Sequence, residues 1–81
     1  MSTEKHRPAQ LQVNTAGAWK TVVTFDAGSD LAAAQVQEAA QVLHQVDVAP
    51  YWRITTAERN PVVLLHMGRS THGLWIKKES E

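Results

Sequence analysis

The sequence contains no cysteine. A disulfide framework, thiolate metal ligation and cysteine nucleophilic chemistry are excluded together. Charge of one sign is also missing: eight Lys/Arg balance eight Asp/Glu, so the formal net charge is zero. A neutral chain has no long-range attraction for nucleic acid as a whole, which argues against such a partner without excluding a local patch. The longest apolar run is Val62-Val63-Leu64-Leu65, far below the roughly 20 residues of a membrane helix. The stretch from Met1 to Pro8 is polar, with no apolar segment of a secretory signal. These absences lead to the expectation of a soluble cytoplasmic protein without membrane association.

What is present is one small domain of 81 residues, 43% apolar, with alanine supplying much of that share. A chain this short buries only about 60% of its unfolded surface, so its core is marginal. Without disulfides, self-association is a common source of the missing stability. Residues 1–8 and 78–81 read as disordered tails around a single domain at 9–77.

Gln10-Leu11-Gln12-Val13-Asn14 alternates as a half-buried strand does. Gly17 marks a turn, and Ala18–Asp26 is a second strand rich in β-branched and aromatic residues. Strict alternation places Trp19, Thr21, Val23 and Phe25 on one face, and Lys20, Val22, Thr24 and Asp26 on the other. Ser29 or Asp30 can cap a helix from about Leu31 to Val46. At the helical period, Ala32, Val36, Ala39, Ala40, Leu43 and Val46 fall in one apolar arc of roughly 120°. Gln37, Glu38, Gln41, His44 and Gln45 lie opposite. Pro50 ends the helix. Tyr51–Ala57 and Val62–Met67 are two further strands around a turn at Glu58–Pro61, and Leu74–Lys77 is a short fifth. The order predicts an α+β fold, β-β-α-β-β(-β), with two hairpins flanking one helix packed on an antiparallel or mixed sheet. Trp19, Phe25 and Trp52 are expected in the core beneath that helix.

No catalytic constellation emerges. Gly68-Arg69-Ser70-Thr71-His72-Gly73 has the glycine spacing of a phosphate loop, but Leu74 and Trp75 stand where it needs Lys and Ser/Thr. Arg69, Ser70 and His72 remain as an anion-holding option. The histidines His6, His44, His66 and His72 show no metal-ligand spacing, although His66 and His72 could meet across a hairpin. No metal and no cofactor is therefore expected. Ser70 and His72 alone make no triad. The carboxylates Asp26, Asp30, Asp47 and Glu58 sit at element ends, where capping and turns account for them.

An interaction surface is the better reading. Val22, Tyr51, Arg53, Val63 and Leu65 fall on strand faces or edges that one helix cannot cover, which predicts a homodimer formed by sheet faces or edges, or another protein partner. The alternative is an accessory nucleic-acid binder using the Tyr51/Arg53 face, with Lys20 nearby, or the late basic residues Arg69, Lys77 and Lys78. A third is a small-anion or metal site in the Gly68–Gly73 loop. The stretch from Ala18 to Ala27, the Ala/Val-rich helix and Trp52-Arg53-Ile54 together resemble small uncharacterised proteins of proteobacterial and prophage genomes over residues 10–67. That resemblance implies an intracellular bacterial protein and carries no activity or site residue.

Overall fold

A computed structural model describes residues 7–77 of the chain; the remaining parts of both expected tails lie outside the described residues. Strand β1 (Pro8–Asn14) begins inside the stretch read as a tail, because Arg7 is tied into the fold. The Arg7 backbone N–H donates to Asp26 Oδ1 at 3.0 Å, and its carbonyl accepts from Ala27 N–H at 2.8 Å. Asn14 Oδ1 accepts from Gly17 N–H at 2.9 Å, and Gly17 takes φ +87° to turn the chain into β2 (Trp19–Asp26).

Helix α1 (Asp30–Val46) starts where Ser29, in extended geometry, accepts the Ala32 N–H on its Oγ at 3.2 Å. Asp47 leaves the helix in extended geometry, and its carboxylate accepts the Ala49 N–H at 3.1 Å. Strands β3 (Tyr51–Thr56) and β4 (Val63–Met67) form the second hairpin, and β5 (Ile76–Lys77) adds two residues. The sheet order is β2-β1-β3-β4-β5, antiparallel at every pairing. The expected α+β architecture is the observed one: one helix on a five-stranded antiparallel sheet. The β1–β3 pairing, from Ala9 with Thr56 to Asn14 with Tyr51, joins the two hairpins.

The core lies between α1 and one face of the sheet. It consists of Ala9, Leu11, Ala40, Trp52, Ile54 and Met67, with Val13, Phe25, Val36, Leu65 and Trp75 packed around them. Two sequence expectations fail here, each for a physical reason.

The first concerns β2. Leu11 pairs with Val23 but Gln12 pairs with Thr21, so Val22 is an extra residue in a β-bulge. A bulge resets alternation. Phe25 and Val23 face the helix, whereas Thr21 and Trp19 turn to the opposite, open face of the sheet. Trp19 is therefore not core beneath the helix.

The second concerns α1. The buried helix residues are Ala40 and His44, not the centre of the expected arc. Leu43 and Val46 are exposed, while Gln37 and Gln41 turn inward. The chain after β4 decides this rotation. Trp75 Nε1 donates to the Gln37 carbonyl at 2.9 Å, and Gln41 Nε2 donates to the Gly73 carbonyl at 3.0 Å. A helix that must meet both the sheet and this returning segment turns its polar edge toward them.

Candidate functional site

The open face of the sheet is built by alternation on either side of the bulge. Register across β2, β1 and β3 places Trp19 beside Asn14 and Asn14 beside Tyr51. The next row runs Thr21, Gln12, Arg53, His66 and Ile76. Lys20, expected near Arg53, pairs with Val13 and belongs to the helix side; the bulge puts Trp19 in its place.

Arg53 is the centre of this surface. Its guanidinium carbon lies 4.1 Å from the centroid of the Trp19 ring, a cation–π stack. Its Nε donates to Gln12 Oε1 at 2.7 Å. Gln12 in turn donates from Nε2 to Gln10 Oε1 at 2.9 Å, and Thr21 Oγ1 donates to the same oxygen at 3.1 Å. This relay holds Gln12, and through the bond and the stack two neighbours on two strands, Gln12 and Trp19, hold Arg53. Among the described residues no carboxylate pairs with it, and its terminal N–H groups have no protein acceptor. Partial burial lowers its pKa by desolvation, yet a guanidinium remains charged at neutral pH. Tyr51 is exposed, its ring lying over Gly68, where a Cβ would fall inside the ring's van der Waals envelope.

A second surface is the outer side of α1. Leu31, Val42, Leu43 and Val46 are 69%, 53%, 50% and 82% exposed. With Ala39 they span an arc of roughly 120°, nearly opposite the face that meets the sheet.

The remaining expected residues do not converge. Val22 sits exposed at the bulge, Leu65 packs on the core, and Val63 pairs in register with Thr55. Thus Tyr51, Arg53 and, through its pairing with Thr55, Val63 share the open face, whereas Val22 and Leu65 do not. Lys77 pairs with Leu65 and lies on the helix side, away from Arg53; Lys78 is outside the described residues.

The Gly68–Gly73 loop is a 3-10 turn at Arg69–Thr71 closed on itself. Backbone N–H groups of Thr71 and Gly73 donate to the Gly68 carbonyl, His72 to Arg69 and Leu74 to Thr71. Thr71 Oγ1 accepts the Gly68 N–H at 3.1 Å and donates to the Leu74 carbonyl at 2.7 Å. A phosphate cradle needs such amides directed outward; here those of Gly68 and of Thr71 to Leu74 are consumed within the turn, and Arg69, Ser70 and His72 are exposed.

His66 stands beside Arg53 in register, and His72 closes the 3-10 turn in left-handed geometry, φ 58°. Among the described residues no group of three or more His, Asp or Glu is placed to hold a metal. A cleft of ≈ 380 Å³ between Arg7, Ala9, Thr56, Glu58 and Leu64 opens at one end of the sheet. The hydroxyl in it, Thr56 Oγ1, is engaged as acceptor of the Val62 N–H at 2.9 Å. Among the described residues no helix is long and apolar enough to cross a membrane.

The sequence signal for the Trp19–Arg53 stack was the pair of strands itself, but the bulge that creates it has no mark in the residue pattern. Of the apolar helix stripe, Leu43 and Val46 were expected in the core-facing arc and are exposed, while Leu31 and Val42 were in no expected arc. No protein-family profile, curated protein or solved structure matches the chain.

Proposed function

We propose that the protein is a non-catalytic interaction module that pairs with a second copy of itself through the outer side of α1. The observation that carries this reading is the exposed stripe of Leu31, Val42, Leu43 and Val46 on a helix whose opposite side is already buried. A solvent-facing helix side is ordinarily polar; an apolar one asks for cover.

The sheet offers less. Its open face centres on Gln, Thr and Arg side chains, and its edges are blunted. The β2 edge carries Lys20 and the Val22 bulge, and β5 is two residues long. Pairing therefore favours helices over sheet faces or edges. Ala39 near the middle of the stripe lets two helices approach closely.

Magnitudes set the strength. Completing the burial of these half-exposed side chains on two protomers yields on the order of 6–12 kcal/mol. Association costs roughly 4–15 kcal/mol. The two are comparable, so the expected dimer is reversible and concentration-dependent.

Sedimentation velocity tests it. The chain should shift from monomer toward dimer across the micromolar range, with a Tm that rises with protein concentration. Val42→Lys with Val46→Lys should leave a folded monomer, since Lys is at least as good a helix former as Val. A wild-type chain that stays monomeric at high micromolar concentration overturns the reading.

A further inference from the structure

We infer that the open face of the sheet is a binding site for a short single-stranded nucleic acid, its phosphate held by Arg53 and its bases stacked on Tyr51 and Trp19. Arg53 is a positioned cation that has no carboxylate partner among the described residues. It is stacked on Trp19 at 4.1 Å and bonded through Nε to Gln12 at 2.7 Å, which leaves its terminal N–H groups free among the described residues. This arginine is held by an aromatic ring and an amide oxygen, neither of which uses its terminal N–H groups. Its unused donors match the paired oxygens of a phosphate.

The surroundings select a strand over a free ion. Tyr51, exposed and seated on Gly68, lies one row along β3 from Arg53's row, level with Trp19. Between these aromatics stands Asn14, and beside Arg53 stands His66. Strands about 4.8 Å apart make this platform roughly 10–15 Å wide, matching sheet faces that stack two or three bases. Among the described residues the rows containing Trp19 and Arg53 hold no carboxylate; Asp26 lies at the far end of β2, engaged with the Arg7 and Gly28 N–H groups. Zero net charge limits reach, not contact: binding would be local and weak, driven by stacking plus one or two phosphate contacts. The face lies on the other side of the sheet from α1, so it does not depend on the pairing proposed above.

The test is fluorescence anisotropy of a labelled oligothymidylate with the full chain at about 50 mM salt. Saturable binding is expected, weakened roughly threefold to sevenfold at about 200 mM salt, as release from one or two phosphates requires. Arg53→Gln should weaken it at least about tenfold, with thermal melting confirming that the variant folds. Should that variant fail to fold, Tyr51→Ala carries the test, with an expected loss of roughly fivefold or more. Absence of binding overturns the proposal. So does binding unchanged by the folded variant, equal binding of a duplex, or equally tight competition by thymidine monophosphate or inorganic phosphate, which would mark a small-anion site only.

Discussion

Single atoms decide several features of this small domain. Ala39 and Ala40 are adjacent, yet Ala40 is fully buried on the sheet-facing side of α1 and Ala39 is exposed. Ala40→Leu should therefore overpack the contact with the sheet and lower stability by about 1–3 kcal/mol. Ala39→Leu should stay within about 0.5 kcal/mol in the monomer, as surface changes do. Urea denaturation of both variants checks the contrast. Gly68 supports Tyr51 in the same way. Its φ of 177° is ordinary extended backbone, so the penalty of Gly68→Ala is steric and falls on the Tyr51 ring. A loss of about 1–2 kcal/mol is expected, largely abolished in a Tyr51→Ala background, because the two residues act as one contact. Equal losses in both backgrounds would place the clash elsewhere. Among the described residues, buried His44 finds no hydrogen-bond partner for Nδ1, nor Trp52 for Nε1. Each costs desolvation that an apolar side chain would avoid, which keeps the core's margin thin.

At the scale of elements, local chemistry fixed the starts and stops. Ser29→Ala removes the acceptor of the Ala32 N–H and should cost about 1 kcal/mol in thermal or chemical unfolding. Capping of this kind was legible in the sequence, as were every strand and the turn at Gly17. These rest on residues next to one another. What was not legible depends on distant partners. The inward side of α1 is chosen by Trp75 and Gly73, which bond to residues more than thirty positions earlier in the chain. Periodicity picks one apolar arc on α1, and the observed inward side is rotated away from its centre. The bulge at Val22 is similar: β2 accommodates one extra residue only because β1 offers the register on either side. From that slip follow the outward turn of Trp19, its stack on Arg53 and the candidate binding face. Arg53 and Tyr51 were picked out correctly as sharing a face, since β3 is regular; their aromatic neighbour was not.

At the scale of the whole molecule, the layers place two unlike surfaces back to back. Helix α1 carries an apolar stripe to one side, and the sheet carries a polar, aromatic, carboxylate-poor centre to the other. Copies paired through α1 would hold two open faces outward, so a longer strand could engage both at once. Linked contacts of this kind gain from effective concentration without any new chemistry. Of the acidic residues, Asp30, Glu38 and Asp47 belong to the helix and its ends, Asp26 and Glu58 lie at one end of the sheet, and Arg53 stands apart from these on the sheet face.

The position of β1 has a kinetic consequence. It is the first strand of the sheet in sequence but lies inside it, between β2 and β3. During synthesis the β1–β2 hairpin can close early, yet one edge of β1 stays unsatisfied until β3 emerges, after the whole of α1. Only then can Leu11 and Ile54 meet and the core begin to form. Closure of the long loop spanning β2 and the helix is therefore the step expected to limit folding, with the open edge of the β1–β2 hairpin exposed to other chains until it occurs.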